Sequence, residues 1–166
     1  MEPQSGFEEM MLPHLDAAYN LARWLAGNDH DAEDIAQEAC VRAWQYRGGY
    51  RGGSARAWLL TIVRNTAYTW LKKNRAKTMV TLTDDDMAEI EGTEAPAFQS
   101  ADAGALRAAL EELPLEFREA LVLRELEGLS YKEIADVAGV PLGTVMSRLA
   151  RARHQLQTIF QKKGEV

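Results

Sequence analysis

The chain has 166 residues, of which 46% are apolar and 27% charged, and its formal net charge is −6. No apolar run approaches the roughly 18 residues that a membrane-spanning helix needs, and the acidic start lacks the basic region of a secretory signal. One cysteine excludes an internal disulfide framework, and three scattered histidines give no metal-ligand spacing. We therefore expect a cytoplasmic protein with no metal, no cofactor and no membrane insertion, built as one domain or two small ones.

Helical periodicity begins near Leu12. Apolar side chains recur there at helical spacing, namely Leu12, Leu15, Tyr19 and Ala22. Pro13 predicts that a helix starts or kinks at this point. The next helix is predicted from about residue 32 to residue 46, with a core face formed by Ile35, Ala39, Ala43 and Tyr46. Cys40 belongs to this pattern and is expected to be a small buried side chain.

A long helix follows the glycine-rich loop RGGYRGGS at 47–54, with Ser54 as its predicted N-cap. It is predicted to run to about residue 75 and to bury Leu59, Ile62, Val63, Thr66 and Trp70. Its opposite face joins bases to an aromatic ring, and the residues are Thr61, Arg64, Asn65, Tyr68, Lys72 and Arg75. Aromatic faces stack on unpaired bases while cations hold the phosphate backbone, so this face is compatible with single-stranded nucleic acid. Taken alone, the pattern is weak evidence, because a stripe of this kind is more often an ordinary helix surface.

The segment 78–104 carries seven acidic residues and no basic one. Its small and acidic composition, without sustained periodicity, predicts a flexible linker. Residues 1–77 and 105–166 are close to neutral, so the acidity of the chain is concentrated in this segment. The linker divides the chain into two helical domains.

The second domain is predicted to contain a helix–turn–helix unit. A helix begins near residue 105, Pro114 starts another that stops at Gly128, and SYKE at 130–133 forms a capping box. The helix that follows ends at Gly139, and after a turn the last helix buries Val145, Leu149, Ala152 and Leu156. A helix, a glycine turn and a second helix are typical of proteins that place the second helix in the major groove of DNA.

The exposed face of the last helix is suited to DNA. Its outward residues are predicted to be Thr144, Ser147, Ala150, Arg151 and His154, with Arg148 and Arg153 at the flanks. An arginine can bond guanine with two hydrogen bonds, and flanking arginines reach phosphates. The alternatives are a solvated basic face and, for Arg148, a bracing contact with an acidic neighbour. When the side chains are placed on these helices, no catalytic set lies together. We therefore expect that the protein is not an enzyme.

Three stretches in order carry a resemblance to a known family. They are DAEDIAQEACVRAW (31–44), RGGSARAWLLTIVRNTAYTWLKKNR (51–75) and LRELEGLSYKEIADVAGVPLGTVMSRLARARHQL (123–156). The chain resembles the extracytoplasmic-function (ECF) sigma factors of the sigma-70 family over about residues 7–77 and 105–160. The implied fold is all-α, with two small helical domains, 1–77 and 105–166, joined by the flexible acidic linker, and the C-terminal domain a helix–turn–helix.

The resemblance also implies roles for individual residues. Contacts with core RNA polymerase fall on Asp34, Gln37 and Glu38. Recognition and melting of the minus-ten element fall on Trp58, Thr61, Arg64, Asn65, Tyr68 and Lys72, although Trp58 is also a candidate for the core. Recognition of the minus-thirty-five element falls on Thr144, Met146, Ser147, Arg148, Arg151 and Arg153.

The implied function is promoter-specific initiation with core RNA polymerase, controlled by an anti-sigma factor. Met146 stands where many relatives carry Arg or Lys, so the family's promoter sequence does not transfer to this chain. The alternative is a helix–turn–helix regulator that binds duplex DNA without polymerase, and a third hypothesis is an all-helical adaptor without DNA binding. The sequence leaves open whether the two domains pack together.

Overall fold

A computed structural model of the protein describes residues 3–74 and 103–164, and both parts are helical, as predicted. The predicted linker lies outside the described residues except for its last two positions, because the first helix of the C-terminal half already begins at Ala103. Within the described parts, no helix has both the length and the hydropathy that crossing a bilayer requires.

The N-terminal half begins with two short helices separated by a tight turn. Helix α1 spans Pro3–Met11, a single 3-10 turn covers Leu12–His14, and α2 spans Leu15–Ala26. Pro13 lies inside the turn, so the predicted interruption is confirmed. Helix α2 ends at Gly27, whose φ of 90° is left-handed and favours glycine.

Helix α3 spans Asp29–Gln45, and the side chain of Asn28 caps it by accepting a hydrogen bond from the backbone N–H of Asp31 at 2.8 Å. The predicted core face is confirmed for its buried members, Ile35, Ala39 and Ala43.

Two predictions about this region are wrong. Tyr46 is 61% exposed, because α3 ends at Gln45 and a 3-10 turn over Arg47–Gly49 redirects the chain before the next turn of helix could form. Cys40 is exposed as well, at an apolar groove of about 220 Å³ between α1 and α3. It is next to the buried Ala39, but the helix turns it away from the core.

Helix α4 spans Ala55–Asn74 and is the central helix of the molecule. Its N-cap is the predicted Ser54, whose hydroxyl accepts from the backbone N–H of Ala57 at 3.0 Å. Leu59, Val63 and Thr66 are buried as predicted, whereas Ile62 and Trp70 are only partly buried. Further buried residues, Leu60, Ala67 and Leu71, were not predicted. They are buried because α4 packs against α2 and α3 and also against the C-terminal half, so it has more than one covered face.

The C-terminal half contains four more helices. They are α5 (Ala103–Glu111), α6 (Leu115–Leu121), α7 (Tyr131–Ala138) and α8 (Leu142–Gly164). Helix α6 continues into a π-helical turn over Val122–Leu126 before Gly128, at φ 68°, ends it.

The helix–turn–helix consists of α7 and α8. At the start of α7, the Ser130 hydroxyl accepts from the Glu133 N–H at 3.1 Å, and the Glu133 carboxylate accepts from the Ser130 N–H at 2.9 Å. This is the predicted capping box. Gly139 ends α7 at φ 70°. The predicted apolar stripe of α8 is buried, namely Val145, Leu149, Ala152 and Leu156.

The two halves pack against each other. Helix α4 contacts α7, and α2 contacts α6. The buried apolar side chains of both halves belong to one continuous cluster that runs from Met11 to Leu156 in the sequence. Two domains in the sequence therefore form one compact body in this structure.

Candidate nucleic-acid and polymerase interfaces

The acidic face of α3 is open to solvent. Asp34, Gln37 and Glu38 are all exposed, on the side of the helix opposite the buried Ile35 and Ala39. The Glu38 carboxylate pairs with Arg42 one turn later at 2.7 Å. The three predicted polymerase contacts therefore lie together on an exposed surface that has no role in packing the core.

Trp58, near the start of α4, is half-buried among other aromatic rings. Its ring meets Phe7 edge-on at 5.9 Å between centroids and Tyr50 at 5.5 Å. This arrangement favours the packing role left open for Trp58 in the sequence. One turn later, the Thr61 hydroxyl donates to the Ala57 carbonyl at 2.8 Å.

The middle of α4 departs from the expected open face. The Arg64 Nε donates to the Glu119 Oε2 of α6 at 2.7 Å, and its guanidinium lies 3.8 Å from the centroid of the Tyr68 ring. Asn65 and Lys72 are exposed on the same helix. The structure thus separates the predicted minus-ten residues into an exposed group and a group covered by the C-terminal half.

Glu119 is 1% exposed and is surrounded by positive charge. Burial raises the pKa of its carboxyl, while the guanidinium groups of Arg64 and Arg148 act in the lowering direction. Burial, followed by the charge of Glu119, also raises the pKa of the Tyr68 hydroxyl, which stays protonated. Arg148 is on α8, so the positive charges that act on this carboxylate come from both α4 and α8.

The position of Arg148 bears on the bracing role left open from the sequence. Its Nε is buried and has no hydrogen-bond partner among the described residues. Its charge acts on Glu119. Arg148 faces the packed interior of the C-terminal half more than the sequence suggested.

Two more polar contacts join the halves. Arg56 Nη2 lies 3.2 Å from the Glu127 Oε1, and Glu127 is 9% exposed. The Arg118 guanidinium donates to the carbonyl oxygens of Trp24 at 3.2 Å and Leu25 at 3.3 Å.

None of these donors and acceptors was predicted from the sequence. A signal was present, since Arg118 and Glu119 stand between apolar residues of α6, with Phe117 before them and Ala120 after them. Charged residues are seldom fully buried unless they are paired, so such an interruption indicates a buried polar contact.

The outer face of α8 matches its prediction. Met146 and Ser147 are exposed, and Thr144 and Arg151 are partly exposed. Arg153 Nη2 pairs with the Glu125 Oε1 at 2.9 Å, at the flank of the face. The exposed face of α8 therefore carries small and polar side chains together with arginines. A helix face of this kind fits into the major groove of DNA.

The described parts contain no group of His, Cys, Asp and Glu side chains that could hold a metal ion.

Two family models match the chain. The family model for sigma-70 region 2 matches residues 10–77, and that for sigma-70 region 4 matches residues 103–156. The first match covers α3 and α4, and the second covers the helix–turn–helix.

Whole-chain comparisons point the same way. The chain is 39% identical to the ECF RNA polymerase sigma factor SigE of Mycolicibacterium smegmatis over 94% of its length, and it spans 62% of that relative. It is 35% identical to the RNA polymerase sigma-H factor of Pseudomonas aeruginosa, over 93% of this chain and 86% of the relative.

A solved structure shares the fold. It is the sigma factor RpoE of Bartonella quintana in complex with the anti-sigma factor NepR, with a TM-score of 0.74 and 31% identity. The match covers 94% of this chain and 97% of that one. The chain therefore belongs to the sigma-70 family, among its ECF RNA polymerase sigma factors.

Proposed function

We propose that the protein is a promoter-recognition subunit that binds core RNA polymerase and directs promoter-specific initiation of transcription. The observation that carries this proposal is the presence, on one chain, of a helix–turn–helix with an open reading face and a separate exposed acidic face on α3. A regulator that acts on duplex DNA alone needs only the first of these. Polymerase supplies the catalysis, and the protein supplies binding energy directed to recognition and strand separation.

The α3 face is proposed to dock on core polymerase. Asp34, Gln37 and Glu38 offer two carboxylates and one amide on adjacent turns, all exposed. Acidic side chains at the rim of an interface steer encounter with a basic partner and fix its register. No contact within the described chain requires Asp34 or Gln37 for packing of the core.

Helix α4 is proposed to act at the minus-ten element. Its residues for this role are Thr61, Arg64, Asn65, Tyr68 and Lys72, together with Trp58 at its start. Unstacking a base costs a few kcal/mol, which stacking on an aromatic ring and hydrogen bonds to the extruded base offset. The half-buried Trp58 is assigned to supporting this surface through its ring contacts with Phe7 and Tyr50.

Helix α8 is proposed to read the minus-thirty-five element in the major groove. The residues that would face the groove are Thr144, Met146, Ser147 and Arg151. Arg153, at the flank, would reach a phosphate. Arg148 is assigned mainly to support of the helix, because its charge acts on the buried Glu119.

The domain boundaries that accompany this function are 1–77, 78–104 and 105–166, with the acidic segment as the connection. An anti-sigma factor is the proposed regulator, since the solved relative of similar fold is bound to one. The proposed site of action is the cell interior, where RNA polymerase is found.

Transcription in vitro tests the proposal. Core polymerase with this protein is offered a pool of promoters with randomised upstream and downstream elements, and the transcribed templates are sequenced. We expect two short promoter elements at a fixed spacing to be enriched. The enrichment should require both core polymerase and this protein. Binding to duplex DNA without initiation in the presence of core polymerase would favour the regulator hypothesis instead.

A further inference from the structure

The start of α8 presents two large apolar side chains to solvent. Leu142 is 49% exposed and Met146 is 53% exposed. They are four residues apart, so they lie on the same side of the helix, about 6 Å apart along its axis. Neither side chain belongs to the apolar cluster of the core or packs against it. Burial within the described part of the chain therefore explains neither of them.

Gly143, between these two residues in the sequence, leaves the surface of the helix bare. A Cβ added at Gly143 would meet no atom of the described residues within 4 Å. Glycine in a helix is less stable than alanine, and no packing among these residues requires it here. Glycine also allows a ligand to approach the backbone closely. A partner outside the chain that approaches the first turns of α8 accounts for the glycine and for the exposed apolar side chains.

The position of this patch, formed by Leu142, Gly143 and Met146, favours DNA as the partner. The exposed Ser147 follows Met146 directly, so the patch borders the face proposed to read the minus-thirty-five element. From Leu142 to Gly164 the chain has five basic residues and no acidic one, which complements the phosphate backbone. In a helix–turn–helix, the N-terminal residues of the second helix are the ones that contact base edges.

We infer that Met146 reads the 5-methyl group of a thymine in the major groove of the upstream element, and that Gly143 admits the DNA to the helix surface. The inference rests on the proposed function, because it takes α8 to be the reading helix. A thioether donates no hydrogen bond and accepts only weakly, so Met146 is unsuited to the polar groups of a base edge. The methyl group of thymine is the apolar group that base edges present in the major groove.

The flexibility of methionine suits this role. Its unbranched side chain has three rotatable bonds and a polarisable sulfur, so it adapts to an irregular apolar surface. Met146 thus specifies a base pair by apolar contact, beside the hydrogen bonds proposed for Arg151.

Removing single methyl groups from the DNA tests this contact. The probe is duplex promoter DNA with the upstream element selected by transcription, and it is bound by core polymerase together with this protein. Each thymine of the element is replaced in turn by uracil, which differs only by the absence of the methyl group. We expect affinity to fall about fourfold at one thymine, which corresponds to the burial of one methyl group.

Protein variants assign the contact to a side chain. Met146→Ala should bind the thymine and uracil templates equally, because the apolar partner of the methyl group is gone. Leu142→Ala is the matched control, since it shortens a similarly exposed apolar side chain on the same helix, and it should keep the wild-type ratio. At the same position, 5-methylation of a cytosine should raise affinity for the wild type but not for Met146→Ala.

Gly143→Ala tests the close approach of the DNA. The added methyl group has open space among the described residues, so the variant should be folded and no less stable than the wild type. We expect weaker binding to the thymine and uracil templates alike, because the new Cβ stands where the DNA approaches. Wild-type affinity of this variant would overturn the role of Gly143.

The methyl contact is overturned if the wild type binds thymine and uracil templates equally at every position, or if Met146→Ala keeps the wild-type ratio. Weaker binding of Met146→Ala to core polymerase, with that ratio unchanged, would assign the patch to a protein partner instead. Transcription from the unmodified promoter is the separate test of the proposed function. Its absence refutes the proposed function, whereas transcription without a methyl effect refutes only this inference.

Discussion

Arg118 of α6 donates a hydrogen bond to the carbonyl oxygen of Leu25, at the end of α2, across the boundary between the two halves. The last carbonyl groups of a helix have no partner within the helix, and a cation placed there also complements the helix dipole. The same guanidinium donates to three carbonyl oxygens in its own half, those of Leu110, Glu111 and Leu113. One buried side chain thus fixes the α5–α6 turn and attaches it to α2.

Replacing this side chain should be costly. Arg118→Ala leaves several carbonyl groups without a donor in a buried place, and each such group costs about 1–3 kcal/mol. We expect a loss of at least roughly 3 kcal/mol in the free energy of unfolding, measured with urea. Lys132→Ala, at an exposed position of α7, is the control and should stay within about 0.5 kcal/mol of the wild type. A small effect of Arg118→Ala would show that water replaces the guanidinium at little cost.

Stability should depend on pH through Glu119. Burial raises its pKa above the ordinary value of 4.5, so the folded state binds this proton more tightly than the unfolded chain does. The resulting contribution to stability is fully present below the ordinary pKa and is lost as the pH rises through the raised pKa.

The measurement is the free energy of unfolding of the wild type minus that of Glu119→Gln, over the acidic to neutral range. We expect this difference to fall as the pH rises, because the variant has no group to titrate at this position. Arg64 and Tyr68 lie beside the carboxyl, and their raised pKa values keep both protonated over this range. A difference that rises with pH would mean that the two arginines outweigh burial.

Charge reversal on α3 should weaken binding to core polymerase. Asp34→Lys/Glu38→Lys changes two exposed side chains and should leave helicity intact. Affinity for core polymerase is measured by titration, and we expect a loss of at least about tenfold. Glu33→Lys, an exposed neighbour on the same helix, is the matched control. Equal affinity of all three proteins would remove the α3 face from the interface.

Two arginines of α8 should respond differently to substitution. Arg151→Ala is expected to cost about 1–3 kcal/mol on the preferred upstream element and to flatten discrimination at one or two base pairs. Arg153→Ala should weaken every sequence alike and reduce the dependence of binding on salt. A binding series over single-base variants at two salt concentrations separates these effects. If Arg151→Ala weakens all variants equally, Arg151 contacts a phosphate, and base reading falls to Ser147 or Met146.

Local chemistry made much of this fold predictable from the sequence. Ser54, the Ser130–Glu133 box and Gly139 each act within a few residues, and the structure has all of them in the predicted roles. The buried stripe of α8 followed from periodicity alone. Predictions failed where a distant part of the chain decided the outcome.

The exposed face predicted for α4 is the main example. Periodicity separates an apolar face from a polar one, but Arg64 and Tyr68 are polar or amphipathic and still lie at a contact between halves. Their partner Glu119 is 55 residues away in the sequence. A helical wheel does not contain that information, because each of these residues is also common on a solvated surface. The predicted burial of Tyr46 was wrong for a related reason, since the turn at 47–49 redirects the chain.

The packing of α4 against the C-terminal half links the stability of the two halves. Their buried apolar side chains form one continuous cluster. Unfolding of either half would therefore expose apolar surface of the other to water, which costs free energy in proportion to the area exposed. Each half is thus stabilised by the folding of its neighbour.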